Sequence, residues 1–386
     1  MTVEADLLLS GGTTIDAETG ERLPITVAVA DGTIAGIGEE TLDARAARTI
    51  DCRGAIVSAG LVDLHSHVHD GVFDVAVPPD DGHLRRGVVL VNDAGSVGLS
   101  GFRGFRSYTA ERALVDITCY LNVSSVGLVN IHVSEFADPH AVLVQQAADL
   151  IAANRDLIRG VKVRLSRSET GEKPLEALAQ ALDLGERASV PVMAHVGATA
   201  CTFGDILREL RPGDIVTHCF HGKGEGIVRD GKVIDEAWDA RRRGVLFDVG
   251  HGTTQMSYEV ARTALAAGFP PDTISSDLSR RNWMAPAYDL ATVISKLVAL
   301  GMPLASALHA ATAVPAGILG ADAEGYGTLR VGGVAAVTVL EERDIVDVLP
   351  DARDDRLQVR RLEPVAVVHH GRLVETVPWR GMDVAA

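Results

Sequence analysis

The feature that most constrains this chain is the alternation, through its middle, of short apolar runs with segments of helical periodicity. The runs, bounded by Gly, Pro or charge, fall at 61–67, 88–93, 117–123, 161–165, 190–195, 214–219, 244–249 and 272–277. Most gaps between them repeat apolar residues at helical spacing, as at 141–158, 175–188, 203–210, 235–243 and 258–267. Eight strands alternating with helices over about 230 residues meet the demand of an α/β fold of the (β/α)8 TIM barrel type. An open doubly wound sheet would accommodate the same alternation. It would normally carry a GxGxxG phosphate loop after its first strand, and none stands there.

The two ends read differently from the middle. Residues 25–34 place Asp31-Gly32 between two apolar runs, the signature of a two-residue hairpin turn with positive φ. The runs 334–340 and 365–368, with His370-Gly371 before Arg372-Leu373-Val374, have the same character. The expectation is a small β-sandwich domain built from both termini, residues 1–57 with 327–386, flanking a barrel at 58–326. Two independent β appendages are the alternative.

Composition narrows the function. The 386 residues carry 36 Lys plus Arg against 52 Asp plus Glu, a formal charge of −16. That acidity argues against nucleic acid or an anionic membrane as partner, both of which favour basic patches. With only 4% aromatic residues, a base-stacking platform is also disfavoured. The start, MTVEADLLLSGG, lacks a basic n-region, and the apolar stretch 291–320 is interrupted by Lys296, Pro303, His309 and Pro315. A cytoplasmic protein is expected. Cys52, Cys119, Cys201 and Cys219 show no CxxC spacing and read as reduced thiols, although Cys219, beside His218, could instead be a ligand.

The chemistry is written at the ends of the runs. The first ends in His65-Ser66-His67, and side chains two apart on a strand share a face, so both imidazoles can reach one cation. The fourth carries Lys162 and Arg164 on one face; the fifth ends at His195, the sixth at His218, the seventh in Gly250-His251-Gly252 and the eighth at Asp277. The C-terminal ends of barrel strands converge on one mouth, where active sites of this fold lie. His65, His67, Lys162, His195, His218 and Asp277 are therefore expected to face one another. Singly, each has an ordinary structural explanation; six such residues ending strands of one barrel do not.

This set resembles the amidohydrolase superfamily, in the dihydroorotase- and hydantoinase-like subtype with two divalent metals bridged by a carboxylated lysine. The segments Asn92-Asp93-Ala94-Gly95-Ser96, Gly101-Phe102-Arg103-Gly104-Phe105 and Leu121-Asn122-Val123 are similar to the amidohydrolase/deacetylase metallohydrolase subgroup. The resemblance implies two divalent ions, zinc by donor type, held by His65, His67 and Asp277 on one side and by His195 and His218 on the other. A CO2-derived carbamate on Lys162 would bridge them, because an ammonium has donors and no acceptor. It further implies hydrolysis of an amide or ester by a metal-bridging hydroxide, with Asp277 as general base and then acid.

The substrate expected is a small carboxylate-bearing molecule such as an N-acyl amino acid or O-acyl hydroxy acid. Arg164 and Arg103 are candidates to grip its carboxylate, and His221 and His251 to hydrogen-bond it. The acidic surface is compatible with an anionic substrate, since two divalent ions would make the pocket locally positive. A cyclic amidase acting on a dihydroorotate- or hydantoin-like ring is the enzymatic alternative, and a non-catalytic relative the remaining one. Beyond that small molecule, homo-oligomerisation is left open.

Overall fold

The computed structural model describes residues 4–41, 43–130, 132–136 and 138–377. Its centre is a curled, wholly parallel seven-stranded sheet in a mixed α/β fold. Leu61–Ser66, Val88–Ala94, Asp116–Asn122, Ile158–Arg164, Val192–His195, Ile215–Thr217 and Leu246–Asp248 lie side by side in sequence order. Burial of both faces explains why these strands read as continuous apolar runs rather than alternating ones. Leu61, Val62, Val89, Val91, Val161, Val163 and Val192 are all inaccessible to solvent.

The eighth run does not form a ladder. It makes one parallel bridge, Thr273 with Asp248, and Leu278, the residue just past it, makes another with Ser66. Backbone hydrogen bonds still tie it to both sheet edges: Val249 N–H donates to Thr273 at 3.1 Å, and Asp277 N–H to the His65 carbonyl at 2.7 Å. The interruption has a local cause. Asp277 adopts φ +46°, a conformation no regular strand accepts.

The helices follow the periodicity. Pro174–Ala188 starts with proline in its first turn, where the missing N–H costs nothing, and ends at Ser189 in the left-handed conformation. It buries Ala177, Leu178, Ala181, Leu184 and Ala188, one face at spacings of three and four. Phe203–Glu209, Asp235–Arg243 and Tyr258–Ala266 lie where the sequence places them, whereas the helix expected from residue 141 occupies only Val144–Ala153.

Strands from both ends of the chain pair in one eight-stranded sheet. Its order is Arg372–Val374, Arg356–His369, Val337–Pro350, Ile56–Ala59, Glu4–Ile15, Arg22–Ala30 and Thr33–Ile37, with Arg45–Asp51 parallel to Glu4–Ile15. Asp31-Gly32 and His370-Gly371 both turn with positive φ at both residues, the geometry a two-residue hairpin needs. Leu9, Val27, Val29, Val57, Val337, Val339 and Val368 form this sheet's own apolar core.

Candidate metal centre

His65, His67, Lys162, His195, His218 and Asp277 come together at the C-terminal ends of the parallel strands. Asp277 Oδ1 lies 3.4 Å from His65 Nε2 and 3.2 Å from His67 Nε2. Lys162 Nζ is 2.9 Å from His65 Nε2, and His218 Nε2 is 2.9 Å from His195 Nδ1. The His65 and His218 rings are 5.1 Å apart, which joins the two halves of the cluster. Among the described residues, His65, His218 and Asp277 offer ligand atoms that all lie within 4.8 Å of one another.

The surrounding hydrogen bonds dictate which ring nitrogens carry lone pairs. Thr217 donates its hydroxyl to Asp248 Oδ2 at 2.7 Å, so its own Oγ1 accepts from His65 Nδ1 at 2.7 Å. That leaves the lone pair on His65 Nε2, pointing into the cluster. His218 Nδ1 donates to the Gly250 carbonyl at 2.6 Å, which likewise leaves its Nε2 as an acceptor facing His195. His67 Nδ1 meets Ser96 Oγ at 2.8 Å. Acceptor nitrogens and a carboxylate oxygen that crowd one volume, each oriented from behind, are the donor set of a divalent cation.

Electrostatics point the same way. Burial pushes the His65, His195 and His218 imidazoles below their ordinary range and keeps them neutral, the form that ligates metal. Burial also lowers the Lys162 amine to about 8, so a fraction is uncharged near neutrality and open to CO2.

Backbone approaches set the geometry as tightly as the ligands. A Cβ on Gly95 would stand 2.6 Å from Lys162 Cβ, and one on Gly252 would stand 2.5 Å from Asp277 Oδ2. Both glycines also hold positive φ, at +87° and +57°.

The residues expected to contact substrate fare differently. Arg164 lines the cleft above the cluster, but its Nε donates to Glu135 at 2.7 Å and its Nη2 to Glu169 at 2.6 Å. Two of its donor edges are thus committed. Arg103 is exposed on the short helix Phe102–Phe105 and does not line the cleft, because Phe102 and Phe105 take the inward positions. His251 is turned away from the mouth: its Nε2 accepts from Lys296 Nζ at 2.9 Å. His221 is buried with its ring edge-on to Phe203, and its Nδ1 accepts from the Lys223 amide at 3.2 Å. Arg281, Thr254 and Gln255 line the cleft instead.

Several contributors have no clear signature in the sequence. Ser96, Thr217 and Asp248 orient ligands, and Lys296 anchors the loop carrying His251. A fully buried Asp248 inside an apolar run was the available signal, since such a carboxylate must find donors. It accepts from Thr217, Thr273 and Ser275.

No family model matches the chain. A deacetylase of Agrobacterium fabrum is 36% identical over 335 residues, covering 86% of this chain and 81% of its own length. A deacetylase of Enterococcus faecalis is 31% identical over 372 residues, covering 94% and 98%. A crystal structure described as an adenine deaminase superposes with a TM-score of 0.89 at 30% identity, over 96% of this chain and 99% of that one. Another, described as a dihydroorotase, gives 0.88 at 33% identity, over 96% and 97%.

Proposed function

The chain belongs to the amidohydrolase superfamily of hydrolases, and from that premise we propose that it is a metal-dependent, deacetylase-like enzyme acting on a small carboxylate-bearing acyl compound. The observation that carries this reading is the inward-facing set of His65 Nε2, His218 Nε2 and the Asp277 carboxylate beside a depressed lysine amine. His65, His67 and Asp277 would hold one ion, His195 and His218 the other. Lys162, reacting as free amine with CO2 and losing a proton, would lie between them as a carbamate. When bound, two divalent ions supply Lewis acidity and make water a nucleophile near neutral pH.

The chain's own residues do the rest. Asp277 takes a proton from the attacking water and returns it to the leaving nitrogen or oxygen, one carboxylate serving as base and then acid. Its backbone is fixed by the His65 carbonyl and by Asn282, whose side chain donates to the Asp277 carbonyl at 2.7 Å. Arg281, at the rim, is the cation placed to receive a substrate carboxylate, with Arg164 held rigid by its two glutamates. In this reading the bridges of the segment 272–278 close a (β/α)8 barrel, and residues 1–57 with 327–386 form its satellite domain.

The test is a panel of N-acetyl amino acids and O-acetyl hydroxy acids offered to zinc-loaded protein, with release of acetate as the readout. Turnover of at least one member is expected. The similarity to a structure described as a dihydroorotase favours a cyclic amide as the second reading. Ring opening of dihydroorotate or a hydantoin, with no acetate released from the panel, would replace the first reading by the second.

A further inference from the structure

At the other end of the parallel sheet, a second group of ligating side chains converges. Asp116 opens the strand Asp116–Asn122, whose last residue lies beside Lys162; the two ends are roughly 20 Å apart at ~3.3 Å per residue. The group is therefore separate from the candidate metal centre. Facing Asp116 are His369 and His370, at the turn between Arg356–His369 and Arg372–Val374 of the sheet built from both termini.

His370 Nε2 is 2.8 Å from Asp116 Oδ2, and His369 Nε2 is 3.3 Å from the same oxygen. Ligand atoms of all three residues lie within 4.8 Å of one another. His369 is the telling member. Its side chain is only 4% exposed, and Nε2 points at the carboxylate without completing a well-formed hydrogen bond to it. A buried imidazole whose polar atoms are so loosely met calls for an explanation. Tyr326 donates its hydroxyl to Asp116 Oδ2, the oxygen both imidazoles face, and so fixes the orientation of the carboxylate. Metal–nitrogen and metal–oxygen bonds of about 2.0–2.2 Å in a tetrahedron set ligand atoms about 3.3–3.5 Å apart. The His369 spacing already matches, and the His370 contact would need to open by about 0.5 Å.

We propose that Asp116, His369 and His370 form a binding site for a divalent transition metal such as zinc, clamping the sheet built from both termini to the parallel sheet. The joined residues stand 254 positions apart in the chain, so an ion bound there ties together segments that no local contact connects. Solvent reaches the site through His370, which is 53% exposed and leaves a coordination position for water. Imidazole and carboxylate without thiolate suit zinc, cobalt or nickel rather than calcium or copper(I).

The experiment uses tag-free full-length protein, dialysed against zinc and assayed for total metal per chain. His370→Ala and Asp116→Asn should each hold one zinc ion fewer than wild type, whatever the occupancy of the other centre. Zinc should also raise the Tm of wild type more than that of either variant. His370→Cys supplies a positive signature: with cobalt(II) it should develop a thiolate-to-metal charge-transfer band that wild type lacks. Equal zinc content in wild type, His370→Ala and Asp116→Asn, or a His370→Cys protein that folds but shows no such band, overturns the proposal.

Discussion

Gly252→Ala separates the chemistry of the cleft from the stability of its scaffold. An alanine Cβ at this position would sit 2.5 Å from Asp277 Oδ2 and 3.0 Å from Gln255 Oε1, where ordinary contact begins at 3.4 Å. The carboxylate must therefore retreat by about 0.9 Å, away from a position 3.4 and 3.2 Å from the two imidazoles of the first strand. A misplacement of about 1 Å in a reacting group costs on the order of 100-fold in rate. Left-handed backbone adds about 1–2 kcal/mol of strain for any residue with a Cβ. Gly38→Ala supplies the control, because Gly38 holds φ +61° with nothing within 4 Å of the added methyl. Both variants should lose similar stability in thermal melts. Only Gly252→Ala should lose about 100-fold in kcat, measured on whichever acyl substrate the panel yields. A Gly252→Ala enzyme within about threefold of wild type would refute the role given to the Asp277 carboxylate's position.

Further predictions rest on other parts of the structure. Asp277→Asn should lower kcat by about 10²–10⁴-fold while metal analysis shows far less change, because the amide can no longer carry the proton. Lys296→Met should cost about 3 kcal/mol in denaturant titrations, since it strips donors from the Pro286 and Pro350 carbonyls and from His251 Nε2 inside the protein. The pair at the far end of the sheet should make metal-free protein sensitive to pH. The hydrogen bond to Asp116 raises the His370 imidazole, while burial works upward on Asp116 and is outweighed by its bonds to His370 and Tyr326. Stability from the pair is complete between about pH 4 and 6.5, fades above as His370 loses its proton, and fades below as Asp116 gains one. With His370 half exposed the effect stays below about 1 kcal/mol. In chelator-treated samples the Tm gap between wild type and His370→Ala should narrow from pH 6 to pH 8; a widening gap contradicts the assignment.

Much of this was legible from order along the chain. Apolar runs marked the seven parallel strands, and the polar residues they carry, with Asp277 of the eighth run, named the six residues that meet at the mouth, because a parallel sheet sends every strand's C-terminus the same way. The hairpins at Asp31-Gly32 and His370-Gly371 were equally plain, since few residue pairs tolerate positive φ twice. The rim was not legible. Arg164 looked free beside Lys162, but Glu135 reaches it from a loop and Glu169 from the short helix Arg167–Thr170. His251 sits one residue from the Gly252 contact with Asp277, yet its ring turns to a lysine of the helix Leu290–Ala299.

The sequence by itself determined the alternation of strands and helices and which residues stand at strand ends, because periodicity and turn chemistry act over a few residues. Tertiary structure alone decided which nitrogen of His65 and of His218 carries its lone pair. That depends on Thr217 relaying Asp248 to His65 and on the Gly250 carbonyl meeting His218, contacts made only when distant segments close on one another. It also decided that Gly95 and Gly252 must lack a side chain. Nothing near them in sequence demands this; Lys162 and Asp277 do, by occupying the space a methyl group would fill.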